Sequence, residues 1–384
     1  MLKKLISVIV FIGILINTAV ISFGQEDNTL LDSMTNKSGV LMEQSTGKIL
    51  LSKNALEKTA PASITKIMTM LLIIEAVENG NVSLDDMITT SANAKIMGGS
   101  EIFLAEGEEM SLDDMLKGIA VASANDAAVA VAEYLCGTEE IFVDKMNKKA
   151  EELKLKNTHY VNCHGLDEEN HYTCAEDVAI LTRELMKHEK IKEYTTIWMD
   201  SLRGGETELV NTNRLIRFYK GATGLKTGTT EAAGHCLSAT AQRDGLELIA
   251  VVMNCPTGKD RFSEASSLLD YGFSHYSRVF LPKEMRDEYE IMVLGGEKET
   301  VRGRMAAPES LIMEKDNKNN LEVKINLKES VTAPIEENEI LGTAELLQNG
   351  ECIGIYYIKS SEIIEKRSLL SSINLMWRCF VRQG

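Results

Sequence analysis

An almost unbroken apolar run, Ile67-Met68-Thr69-Met70-Leu71-Leu72-Ile73-Ile74, continues through Glu75-Ala76-Val77 to Asn79-Gly80, and it follows directly on Pro61-Ala62-Ser63-Ile64-Thr65-Lys66. Proline at a first-turn position and apolar residues on nearly every face predict a helix buried on almost all sides. Strand patterns flank it. Residues 39–51 predict two strands joined by a short Ser45-Thr46-Gly47 turn, and residues 233–241 and 246–253 predict two more around Arg243-Asp244-Gly245. Between 81 and 122 polar turns alternate with short helical patterns, and Ser111 with Asp114 resembles a capping box, so a mainly helical insertion is expected there. From about 280 to 365 the period drops to two in short runs at 290–294, 310–313, 321–327, 345–347 and 352–358. Turns at Gly295-Gly296, Asp316-Asn317 and Asn349-Gly350 separate them, which predicts a small all-β domain.

The two ends differ from this globular pattern. Lys3 and Lys4 precede an apolar stretch at 5–23, and Ser22 and Gly24 supply a small-x-small site, so residues 1–24 are read as a secretory signal peptide cleaved after Gly24. The alternative is an uncleaved anchor, and either places the remainder outside the cytoplasm. In the tail, Leu369, Leu370, Ile373, Met376, Trp377, Phe380 and Val381 fall on one helical face, with Ser371, Asn374, Arg378 and Arg382 opposite. Too short and polar to span a bilayer, this segment suits an amphipathic helix lying in a membrane surface, its Lys366, Arg367, Arg378 and Arg382 drawn to anionic headgroups. Docking on the protein's own core is the other reading. The expected organisation is therefore a signal peptide at 1–24, a catalytic domain at 25–277, the all-β domain at 278–366 and the membrane-anchoring helix at 367–384.

About 360 residues remain after removal of the signal peptide, enough for two or three domains, and the net charge of −16 argues against nucleic acid as a partner. Seven cysteines without a repeated spacing are read as mostly free thiols. Cys163, His164, His171 and Cys174 can be drawn as a zinc site, but the spacing matches no common finger and the segment is rich in turn residues. No metal and no cofactor is expected.

Candidate chemistry lies in three short motifs. Ser63 and Lys66 share one face of the first helical turns, and burial pushes a lysine toward its neutral form, which can take a proton from a hydroxyl. By itself this could equally be a helix start with a snorkelling lysine. Ser123 and Asn125 flank one residue and both reach a cleft if the backbone turns there; otherwise the segment caps the Ala-rich helix that follows. Lys226-Thr227-Gly228-Thr229 reads as part of an antiparallel strand, where lysine and hydroxyls suit an anionic substrate end and Gly228 lets a substrate backbone approach. The conjunction of S-x-x-K, S-x-N and K-T-G in this order is far less probable by chance than any one of them.

With these motifs the chain resembles the penicillin-binding serine peptidases, and more closely the low-molecular-mass D-alanyl-D-alanine carboxypeptidases of the S11 peptidase family. Residues 157–166, His171-Tyr172-Thr173-Cys174-Ala175 and Asn211-Thr212-Asn213-Arg214-Leu215 are also similar to that family, although proline is more usual at the position of Cys163. The resemblance explains the His164 and His171 region as a structural loop. It implies an α+β fold: a penicillin-binding/β-lactamase-like domain with an antiparallel sheet, helices on both faces and a helical subdomain, followed by a small all-β domain.

The resemblance further implies Ser63 as nucleophile, Lys66 as its base and Ser123 as proton relay to the departing D-alanine. Asn125 would hold the substrate amide carbonyl, Lys226 would supply positive potential near Ser123, and Thr227 and Thr229 would read the terminal carboxylate. Arg261 is either a further carboxylate partner or a surface arginine near a helix start. Backbone N–H groups of Ser63 and Thr229 would form the oxyanion hole. The implied partners are peptidoglycan stem peptides ending in D-Ala-D-Ala, β-lactams as covalent inhibitors, and the outer face of the cytoplasmic membrane. No E-x-x-L-N stretch lies between Asn125 and Lys226, which weighs against a β-lactamase. A D,D-endopeptidase or weak transpeptidase, and a penicillin-binding sensor without turnover, stand as alternatives.

Overall fold

A computed structural model describes residues 27–315, 321–368 and 373; the signal-peptide segment and nearly all of the expected tail helix lie outside them. A five-stranded antiparallel sheet forms the centre of the catalytic region, in the order Ile49–Lys53, Ser38–Glu43, Leu246–Cys255, Gly234–Arg243, Ala222–Thr230. The strand Leu246–Cys255 is apolar on both faces because both faces are covered. Alternation along Ser38–Glu43 shows the two layers. Val40 and Met42 join the cluster built from the helix Lys66–Glu78 and its neighbours, whereas Leu41, with Leu248, packs against Gly272 of the helix Gly258–His275.

The first layer holds the helices Lys66–Glu78, Asn125–Cys136 and Ala175–Leu185 in one continuous core that includes Ile67, Met70, Ile74, Ala128 and Leu181. The insertion at 81–122 is less helical than its sequence suggests. Met87–Thr89 and Glu109–Ser111 pair as two short strands, each with one buried residue, Ile88 and Met110, so the segments are too brief to register a period. Ser111 does cap the helix Leu112–Lys117, its hydroxyl accepting from the Asp114 N–H at 3.2 Å.

Beyond the Gly258–His275 helix, the strand Tyr276–Phe280 crosses the expected boundary at 277/278 and pairs with Ser310–Glu314. The rest of this region is a six-stranded sheet in the order Leu321–Leu327, Ile340–Gln348, Glu351–Ser360, Thr300–Met305, Tyr289–Leu294, Ser330–Thr332. Ile291, Val301, Leu341 and Ile358 gather in one core beneath it. Thr300–Met305 was not foreseen: Arg302 and Arg304 alternate with the buried Val301 and Gly303, so its inward face carries little apolar signal.

Candidate active site

Ser63 sits on a 3₁₀ turn, Ala62–Thr65, at the entry to the Lys66–Glu78 helix rather than within the α-helix itself. Side chains three apart eclipse one another in a 3₁₀ turn, and Lys66 Nζ lies 3.2 Å from Ser63 Oγ. The turn is pressed from two sides by glycines. A Cβ on Gly228 would meet Pro61 O at 2.9 Å, and one on Gly165, whose φ is +94°, would lie 1.9 Å from Ala62 O. Ala62 adopts φ +48° and Ser123 φ +65°, left-handed conformations that cost non-glycine residues about 1 kcal/mol each. Both flank the cleft, and the second supplies the backbone turn that the S-x-N motif requires.

Lys66 is fully buried, and its amine is surrounded by oxygen atoms rather than carboxylates. Nζ donates to Asn125 Oδ1 at 2.5 Å and to the His164 carbonyl at 2.6 Å. Burial lowers its pKa to about 7, against the raising influence of Cys163 and, more weakly, of Asp126. A neutral amine has two N–H groups and one lone pair. Two acceptor-only oxygens take both N–H groups, which leaves the lone pair for the third neighbour, the Ser63 hydroxyl.

The other motif residues converge on the same cleft. Asn125 is buried at the start of its helix, and its Nδ2 donates to Gly98 O at 2.7 Å, leaving a second N–H with no partner among the described residues. Ser123 Oγ is buried and likewise has no hydrogen-bond partner there. Lys226, fully buried on the strand Ala222–Thr230, contacts the Thr227 carbonyl at 3.2 Å and not the Ser123 hydroxyl. Its pKa is pushed well below the ordinary lysine value by burial, then by Lys66 and Arg261.

At the outer end of that strand, Arg261 Nη1 donates to Thr229 Oγ1 at 2.8 Å and to Gly228 O at 3.1 Å. Arg261 therefore stands beside the K-T-G motif, half-buried in the first turns of the Gly258–His275 helix, not as a free surface arginine. Thr227 donates to Thr212 Oγ1 at 2.8 Å. His235 Nδ1 lies 3.3 Å from Thr229 Oγ1.

Two groups at the site escaped the sequence reading. The His164 carbonyl that fixes Lys66 is a backbone atom with no residue-type signature, and Thr212 reaches Thr227 only through the fold. The loop around it is held by hydrogen bonds that occupy both histidines. His171 sits 2.8 Å from Thr65 Oγ1 through Nε2 and accepts from the Val161 N–H through Nδ1 at 3.0 Å. His164 Nδ1 accepts from the Leu166 N–H at 3.2 Å. Burial lowers His164 to about 3, helped by Lys66 and His171, and lowers His171 to about 4, so both rings are neutral at physiological pH.

The family model described as D-alanyl-D-alanine carboxypeptidase matches residues 25–257, and the one described as penicillin-binding protein 5, C-terminal domain, matches residues 284–366. A curated relative, D-alanyl-D-alanine carboxypeptidase DacF of Bacillus subtilis, is 42% identical over 376 residues, 96% of this chain and 97% of the relative. Among solved structures, penicillin binding protein 5 from Haemophilus influenzae superposes with a TM-score of 0.77 at 28% identity, covering 87% of this chain and 98% of that one. Penicillin-Binding Protein D2 from Listeria monocytogenes in its ampicillin-bound form superposes with a TM-score of 0.58 at 28% identity, covering 63% of this chain and 98% of that one.

Proposed function

Because the chain belongs to the D-alanyl-D-alanine carboxypeptidase family, we propose that the reaction of that family proceeds here through an acyl-enzyme on Ser63. The enzyme is a serine D,D-carboxypeptidase of the low-molecular-mass penicillin-binding class. The contact set around Lys66 supports the assignment of roles best: with both N–H groups held by Asn125 Oδ1 and His164 O, the amine lone pair accepts the Ser63 proton as Oγ attacks the carbonyl between the two D-alanines. The oxyanion forms against the backbone N–H groups of Ser63 and Thr229. Ser123, a buried hydroxyl without a partner among the described residues, relays the proton taken up by Lys66 to the departing amine, which leaves Lys66 neutral again. The second N–H of Asn125 holds the substrate amide carbonyl, and the Lys226 amine, pushed toward its neutral form by burial, serves as a hydrogen-bond donor rather than as a fixed positive charge. Thr227, Thr229 and Arg261 take the terminal carboxylate, while Gly228 leaves room for the substrate backbone. Water then hydrolyses the ester and restores Ser63.

The substrate in this reading is a peptidoglycan stem peptide ending in D-Ala-D-Ala, and β-lactams acylate the same serine. Residues 1–24 export the chain, residues 25–277 and 278–366 form its two domains with the strand Tyr276–Phe280 passing from one to the other, and residues 367–384 hold it to the outer face of the cytoplasmic membrane. No helix among the described residues is long and apolar enough to cross a membrane. Removal of the tail before Ser368 should leave activity intact and release the mature protein from membranes; continued association would overturn the anchor.

The test is release of free D-alanine from a diacetyl-Lys-D-Ala-D-Ala peptide by the mature protein and by Ser63→Ala. Release that disappears in the variant is expected. Absence of release while Ser63 still takes up labelled penicillin would overturn turnover in favour of sensing.

A further inference from the structure

An open groove of about 1030 Å³ is lined by Arg261 and Thr212, the residues that touch the K-T-G strand, together with Arg214, Phe218, Lys259 and Trp198. A substrate that ended at its carboxylate would stop at Arg261 and leave this space unused. The groove is built for more than a methyl group. Phe218 is 72% exposed, and Arg217 stacks on both Trp198 and Phe218 at 5.6 Å. Trp198 Nε1 and Arg261 Nε are buried donors without a hydrogen-bond partner among the described residues. Arg214 and Lys259 are exposed and make no ion pair there, although Arg243, Arg278, Arg302 and Arg304 each have a carboxylate within reach. Arg214 lies close enough to Arg261 for their like charges to oppose each other. Unpaired cations in one concavity with free donors favour an anionic occupant.

We propose that this groove receives the side chain of the departing D-residue and favours leaving residues whose side chain is long and acidic. The proposal rests on the active-site reading above, in which the leaving residue's α-carboxylate lies on Thr229 and Arg261. Its α-carbon then stands between Ser63 and Arg261, and a side chain longer than the methyl of D-alanine enters the groove. The enzyme would accordingly release acidic D-residues, besides D-alanine, from peptides ending in D-Ala-D-X.

The experiment compares diacetyl-Lys-D-Ala-D-Ala with the corresponding peptides ending in D-Glu and D-Lys, following the released amino acid by chromatography. The expected order of kcat/KM places D-Glu above D-Lys by about tenfold, the size of a good charge-pair preference in a partly enclosed site. Arg214→Glu and, separately, Lys259→Glu should each lower or invert the D-Glu to D-Lys ratio. Both positions are exposed, and because the readout is a ratio within one protein, a partly unfolded preparation does not mimic it. Equal rates for D-Glu and D-Lys, or a ratio unchanged by both substitutions, would overturn the proposal while D-alanine release still upheld the parent reading. Loss of release from all three peptides would overturn the parent reading and the subsite together.

Discussion

Two lysines of the catalytic half, Lys66 and Lys226, are treated in the opposite way to the basic residues of the C-terminal sheet. Both are fully buried without a carboxylate partner, Lys66 against Asn125 Oδ1, the His164 carbonyl and the Ser63 hydroxyl and Lys226 against the Thr227 carbonyl, and both are pushed toward the neutral form. In the C-terminal sheet, Lys298, Arg302, Arg304 and Lys324 are all exposed and each faces a glutamate: Glu362, Glu290, Glu288 and Glu345. Burying an amine without a carboxylate costs stability, whereas an exposed pair is nearly neutral in energy. Two buried lysines without carboxylate partners in one cleft carry an energetic cost that the paired lysines elsewhere avoid, the pattern expected of a functional site.

The sharpest way to break this contrast is to remove the proposed nucleophile and base. Ser63→Ala should reduce D-alanine release by about 10⁴-fold or more, and Lys66→Met by a comparable factor, because residues that act as one unit lose activity together. Steady-state release assays on the two variants and their double mutant check this; nearly additive losses would separate the pair.

Next in size is the turn that positions Ser63. Gly165→Ala forces a methyl group to 1.9 Å from the Ala62 carbonyl at a left-handed backbone position, and should cost about 3 kcal/mol in denaturant unfolding together with most of the activity.

A third effect is the slope of stability against pH. The folded value of Lys66, about 7, lies below its ordinary 10.5, so between these values the unfolded chain binds more protons than the folded one. Stability therefore rises with pH across that window, and Lys66→Met should flatten the rise in thermal melts. Smallest of all, Arg304→Ala in the C-terminal sheet should change stability by less than about 1 kcal/mol and leave D-alanine release untouched.

Much of this was legible in the residues. Ser63, Lys66, Ser123, Asn125 and Lys226 could be singled out because side-chain chemistry at fixed spacing survives in one dimension, and the strand at 246–255 because two covered faces demand an almost unbroken apolar run. What escaped is made by the fold. The His164 carbonyl has no letter of its own, the pairing of Met87–Thr89 with Glu109–Ser111 is too short to show alternation, and Thr300–Met305 hides behind Arg302 and Arg304. Even the 3₁₀ turn at Ala62–Thr65, closely packed by Gly165 and Gly228, is not reported by a helix pattern.

The central claim is that Lys66 works as a neutral amine. The rate of Ser63 acylation by labelled penicillin, measured between about pH 5 and 9, tests it most directly. The account predicts a rate that climbs about tenfold per pH unit on the acid side, bends near the Lys66 value of about 7, and levels off above it. A rate that is flat across this range, or that falls as the pH rises through 7, would contradict it.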